Sequence, residues 1–224
     1  MNLNADFSRR IVVHTDSVEW LASPMAGVHR RMLDRIGDEV ARATTVVRYA
    51  PGSRFSPHTH TGGEEFVVLQ GVFQDEHGDF PAGSYVRNPP TSRHTPGSEE
   101  GCVILVKLWQ FDLSDRTQVR TDTNALDWVA DPKRPGVWAQ HLFADVRETV
   151  QMERWDAGTA VTVDLPGGGE FFVLEGTAQA ETDTLGVHSW LRVPPGGRLS
   201  AVAGPLGTRL WSKTGHLQHI STLE

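Results

Sequence analysis

The chain has 224 residues and a mass of 24.7 kDa, with 21 basic against 28 acidic residues and a net charge of -7. No basic stripe is present, which argues against nucleic acid as a partner. No apolar run approaches the ~20 residues of a membrane span, and residues 1–10 lack the apolar centre of a signal peptide. A soluble, cytoplasmic protein is the expectation. The single cysteine, Cys102, excludes an intrachain disulfide and any CxxC metal motif.

Apolar residues make up 38%, including 7 Trp and 9 Phe, while 22 glycines and 13 prolines punctuate the chain. That balance favours a turn-rich β protein with real cores over a helical bundle. In chain order, residues 27–39 form the one weakly helix-like stretch. Short β-branched or aromatic segments follow at 44–49, 65–69, 72–75, 84–87 and 102–109. A polar stretch at 112–124 reads as a junction. Further strand-like segments lie at 150–155, 159–163, 170–174 and 208–211, and residues 215–224 read as a tail. Short strands with Gly/Pro turns indicate a sandwich or small barrel.

The two halves repeat. Trp20, Pro24, Gly27, Val28 and Leu33 are echoed by Trp128, Pro132, Gly136, Val137 and Leu142, with one extra residue. Ser84, Arg87, Pro89 and Pro90 recur as Ser189, Arg192, Pro194 and Pro195, and Lys107-Leu108-Trp109 as Arg209-Leu210-Trp211. Between these blocks, Gly52, His58, His60, Glu64 and Gly71 are answered by Gly158, Asp164, Pro166, Glu170 and Gly176, aligned without a gap through Glu170. A duplication of two domains follows, spanning 12–114 and 120–214.

On a strand, His58 and His60 point to the same face, because side chains alternate with period two. Glu64 follows a Thr-Gly-Gly turn and returns toward the same point on the next strand. His94 is a candidate fourth ligand. A three-nitrogen, one-oxygen set suits zinc, iron, manganese, nickel or copper. In the second half the alignment leaves Asp164, Pro166, Glu170 and, opposite His94, Leu199, so no metal is expected there. Cys102 reads as a core residue, His77 as a solvated turn residue, and His216 with His219 as an incidental pair in the tail. Glu65 aligns with Phe171 and so reads as dispensable to the fold. Arg48 and Arg93 are candidates to face an anionic ligand.

The spacing from Gly52 to Gly71 resembles the first cupin motif, G(x)5HxH(x)3-4E(x)6G, and Pro81-Ala-Gly83 with His94 resembles the second. Residues 63–90 and 101–109 are similar to the cupin domain of ChrR-type anti-sigma factors. That resemblance implies an all-β fold of two tandem double-stranded β-helix (jelly-roll) barrels, a bicupin. It also implies one divalent metal, zinc, on His58, His60, Glu64 and His94 of the N-terminal barrel. In that family the sigma factor is gripped through an N-terminal helical zinc domain. Here the first cupin begins by about residue 12, so sigma-factor sequestration is not expected. Two functions compete: a metal-dependent dioxygenase acting on a small diketone or phenolic ketone, and a non-catalytic zinc cupin acting as a sensor. A small molecule is the expected partner, as monomer or homodimer.

Overall fold

The computed structural model describes residues 1–38 and 40–220, and β-strand is their predominant regular structure. Among them the helical elements are short 3-10 turns, such as Thr15–Ser17 and His216–Gln218, and no helix is long and apolar enough to cross a membrane. The chain divides into two compact units. The first contains residues 1–5 and 18–125, the second residues 6–17 and 126–220. Two edge strands thus fall across the junction read from the sequence: Ile11–His14 pairs with Ser189–Val193 in the second unit, and Val119–Asp122 with Ser84–Asn88 in the first.

The main sheet of the first unit runs antiparallel in the order Val28–Gly37, Ala41–Tyr49, Cys102–Leu108, Glu64–Asp75, Ser84–Asn88 and Val119–Asp122. A second layer is made of short pieces: Ser53–Arg54 with Gly97–Ser98, and His58–Thr59 with Arg93–His94. Period-two alternation sends Phe66, Val68, Val86, Ile104 and Val106 inward to a core with Val28, Val47, Tyr49, Phe73 and Phe80. Cys102 is buried in that core, and burial pushes its thiol up to about 11. One long strand, Glu64–Asp75, replaces the two segments expected at 65–69 and 72–75. Gly71 carries the bend between them at φ +71°, where a β-carbon would sit 2.0 Å from the Gly101 carbonyl oxygen.

The helix-like stretch at 27–39 is instead the strand Val28–Gly37, with Glu39 outside the described residues. A bulge between Met32 and Asp34 explains the misleading periodicity: it inserts Leu33, so Leu33 and Asp34 are both fully buried and the simple alternation breaks. The second unit has the same device between His141 and Phe143, where Leu142 is buried.

In the second unit the sheet order is Val137–Ala144, Thr149–Trp155, Gly197–Thr214, Gly169–Ala180, Ser189–Val193 and Ile11–His14. Its core gathers Val161, Leu165, Phe171, Val173, Leu191, Leu199 and Leu210. Residues 215–220 are not a loose tail. Gly215, at φ +91°, turns the chain so that the Leu217 N–H donates to the Gly167 carbonyl at 3.0 Å, and both His216 and Leu217 are buried. Residues 221–224 lie outside the described residues.

Candidate metal centre

His58, His60, Glu64 and His94 meet at the inner face of the first unit, with one ligand atom from each lying within 4.8 Å of the others. The ladder of His58–Thr59 against Arg93–His94 sets His94 directly opposite His58. Glu64 opens the neighbouring strand after Gly63, whose φ of +78° makes the turn. His60 Nε2 lies 3.2 Å from His94 Nε2 and 3.3 Å from Glu64 Oε2, and His94 Nε2 lies 3.5 Å from that oxygen. The His58 ring is 5.0 Å from each of the other two rings.

The partners of the other ring nitrogens fix the tautomers. His58 Nδ1 lies 3.1 Å from the Ser56 carbonyl oxygen, which only accepts, so Nδ1 carries the proton. Ser92 Oγ donates to the Pro89 carbonyl at 2.6 Å and therefore accepts from His60 Nδ1 at 3.0 Å. His94 Nδ1 donates to Asp75 Oδ2 at 3.1 Å, and Asp75 Oδ1 takes the His77 backbone N–H at 2.7 Å. Asn88 Nδ2 donates to Glu64 Oε2 at 3.2 Å and is itself oriented by Gln118 Nε2, at 3.1 Å from Asn88 Oδ1. Each imidazole thus turns an Nε2 lone pair inward, the arrangement that second-sphere partners impose on metal-binding histidines.

Two inward lone pairs and a carboxylate oxygen within 3.5 Å repel one another unless a cation lies between them. An ion with ligands at about 2.0–2.2 Å holds its donors roughly 3–3.5 Å apart, the spacing seen here. The residues therefore fit a divalent transition metal. His60, His94 and Glu64 are 6%, 2% and 9% exposed. Burial holds His60 below the usual histidine range against the pull of the Glu64 charge. Burial acts the same way on His94, but its bond to Asp75 and the charges of Glu64 and Asp75 outweigh it and leave it above that range.

A cavity of about 320 Å³ opens on the cluster, lined by His58, His60 and Glu64 with Tyr49, Phe55, Val28, Val47, Ile104, Val106 and Leu108. That size and apolar lining suit a small organic molecule. Neither arginine picked out in the sequence lines it. Arg48 is exposed and stacks 4.4 Å over the Trp20 ring; Arg93 is exposed and lines a separate hollow that His58 and His94 also border. The cationic side chain that does line the cavity is Arg30. Its place was hidden by reading 27–39 as helical, since only a strand sends Val28 and Arg30 to one face.

The second unit corrects the repeat. Glu170 lies opposite Arg192 and Lys213, whereas Glu64 lies opposite Asn88 and Leu108. It is Glu65 that lies opposite Arg87 and Lys107. Tyr85 donates its hydroxyl to Glu65 at 2.6 Å, and Trp190 Nε1 donates to Glu170 at 3.4 Å. Glu170 is therefore the counterpart of Glu65, not of Glu64, and Gly169 stands at the ligand position. The second-half turn is one residue shorter, and a one-residue slip moves a side chain to the opposite face of its strand. Glu65 is accordingly a fold element in both units. His216, expected to be an incidental tail residue, lies 3.3 Å from Glu170, both buried. Asp164 is exposed and paired with Arg198 at 2.6 Å, while Leu165 and Leu199 fill the core.

Residues 8–112 match the family described as ChrR Cupin-like domain. The anti-sigma-E factor ChrR of Cereibacter sphaeroides is 37% identical over 82 residues, which is 35% of this chain. The chain spans only 37% of the length of that protein. Among solved structures, a candidate dioxygenase from Nostoc punctiforme superimposes with a TM-score of 0.78, at 15% identity, over 96% of this chain and 86% of the other. A protein from Pseudomonas aeruginosa described as glyoxylate-induced gives 0.72, at 12% identity, over 96% and 91%. At these identities the likeness is one of fold.

Proposed function

We propose that the chain is a pair of cupin barrels in which the first holds a divalent metal and acts as a dioxygenase-type enzyme on a small diketone or phenolic ketone. The observation that carries this reading is the apolar cavity opening on the histidine–glutamate cluster. A metal that only braces a fold needs no such cavity beside it. His58, His60, His94 and Glu64 hold the ion, which supplies Lewis acidity toward a chelating enol. Asp75 and Ser92 keep two of the imidazoles facing inward, and Asn88 steadies Glu64. Phe55, Val47, Ile104 and Val106 exclude water from the bound molecule, which strengthens every charge interaction there. The fold shared with the Nostoc protein supports the same class.

A second reading has its own support. Four protein donors fill a tetrahedral zinc shell, the mark of a structural or sensing site, and the sequence match to ChrR points the same way. The two separate in one experiment. Protein purified without added metal is assayed by elemental analysis, and its oxygen uptake is followed with 2,4-pentanedione. Iron, manganese or nickel with uptake is the expected result. Stoichiometric zinc, four-coordinate by X-ray absorption and without uptake for any reconstituted metal, overturns the enzyme in favour of the sensor.

A further inference from the structure

The cavity beside the metal cluster contains two hydrogen-bond donors that the fold itself leaves unused. Tyr49 is 6% exposed, its ring set edge-on to Phe73 at 5.8 Å and tilted against Phe55 at 5.5 Å. Among the described residues none takes a hydrogen bond from its hydroxyl, which belongs to the cavity wall. Arg30 is half-buried on the same wall, and its Nε is closed off from solvent with no acceptor among the described residues. Its neighbours are engaged. Arg31 and Arg48 stack over Trp20 at 4.4 Å, Arg42 faces Asp34 at 3.7 Å, and Arg35 donates to the Asp38 carbonyl.

The ladder places the two donors together. Val28 lies opposite Tyr49 and Arg30 opposite Val47, so Arg30 and Tyr49 are diagonal neighbours on the inward face, about 7 Å apart at that sheet spacing. Arg30 is the one Lys or Arg among the described residues lining the cavity, and Glu64 the one acid. A divalent ion bound to Glu64 and neutral imidazoles leaves about one surplus positive charge, and Arg30 adds another. The cavity is thus cationic in a chain of net charge -7. A guanidinium fork matches a carboxylate, and a neighbouring hydroxyl completes its coordination. Burial holds the Tyr49 phenol well above its ordinary range, so it remains a donor.

We infer that Arg30 and Tyr49 form an anion-recognising subsite, which takes the carboxylate of a small acid whose apolar body fills the cavity toward the metal cluster. The inference rests on the small-molecule reading above and narrows its substrate class to ketones that also carry a carboxylate.

The test is calorimetric titration of the zinc-loaded full chain with benzoate and with its neutral isostere benzamide, which needs no turnover. Benzoate binds about tenfold or more tighter than benzamide, as expected where a buried polar site meets a matched rather than an unmatched group. Arg30→Met removes that preference. Arg30→Lys retains part of it, and Tyr49→Phe weakens benzoate several-fold. Equal binding of the two probes, or undiminished benzoate binding by a folded Arg30→Met protein, overturns the subsite. Should Arg30→Met not fold, the wild-type preference and the Arg30→Lys protein carry the same decision. Loss of benzoate preference in His58→Ala with Arg30 intact also overturns it, because the carboxylate then sits on the metal. Arg30-dependent binding without oxygen uptake for any metal leaves the subsite standing and removes the enzyme; oxygen uptake with no benzoate preference does the reverse.

Discussion

Ligands and lookalikes in this chain are separated by single atoms. The Nδ1 atoms of His58, His60 and His94 are committed to Ser56, Ser92 and Asp75, so only Nε2 remains for an ion. His58→Ala therefore abolishes metal binding, whereas Asp164→Ala, on an exposed residue paired with Arg198, leaves it intact. Metal content after dialysis checks both, and equal loss in the two proteins overturns the assignment of the ligands to the first unit. Asp75→Asn keeps the ligands but removes the carboxylate behind His94. Metal affinity falls about 10- to 100-fold, measured by competition with a chromogenic chelator. The adjacent glutamates give a sharper contrast. Glu64→Gln lowers metal affinity, while Glu65→Ala retains the metal and destabilises the fold by about 3 kcal/mol, because Glu65 is 1% exposed, accepts from Tyr85 and faces Lys107 and Arg87 across the sheet. Urea unfolding with metal analysis reads both effects, and metal loss from Glu65→Ala would contradict the placement.

At the scale of strands, what was legible and what was not follow from periodicity. An HxH pair survives reading because period two is local: two residues suffice to show that both imidazoles share a face. The Gly52–Gly71 spacing is legible for the same reason, whereas His94, far along the chain from Glu64, is reached through the resemblance to the second cupin motif. Bulges defeat this. Leu33 breaks the alternation of Val28–Gly37, so the segment carries no clean period-two signal that would set Arg30 on the inward face. The shorter turn before Glu170 defeats it too, because a gap-free alignment exchanges the two faces and makes a buried structural glutamate look like a surviving ligand. Gly63 exposes the same sensitivity to geometry. It adopts φ +78°, and a β-carbon there would stand 2.4 Å from the Phe111 ring. Gly63→Ala should cost 1 kcal/mol or more and also weaken metal binding by displacing Glu64, as measured by thermal melting with and without metal. A protein of unchanged melting temperature and metal content would show that the turn tolerates a side chain.

Across the whole molecule, the two units solve one problem in different ways. In the second, the layer facing the main sheet is closed by a continuous six-residue strand, Ala160–Leu165, paired along its length with Gly197–Thr214 and sealed by Val161, Leu165 and Leu199. In the first, the same layer is cut into two-residue pieces, His58–Thr59 with Arg93–His94 and Ser53–Arg54 with Gly97–Ser98. Backbone pairing is sparse where these side chains stand, and an ion held by the cluster would join Glu64 of the main sheet to both sides of the short hairpin. An ion bound at 1,000 times its dissociation constant contributes about 4 kcal/mol to the state that binds it, and that contribution falls on this layer. Stripping the metal should therefore raise amide hydrogen exchange at 56–60 and 91–97 first, and in Glu64–Asp75 next, while Ala160–Leu165 and Gly169–Ala180 keep their protection. Uniform loss of protection through both units would mean that the ion holds up the whole chain rather than one layer. No change at all would mean that the short hairpin closes without it.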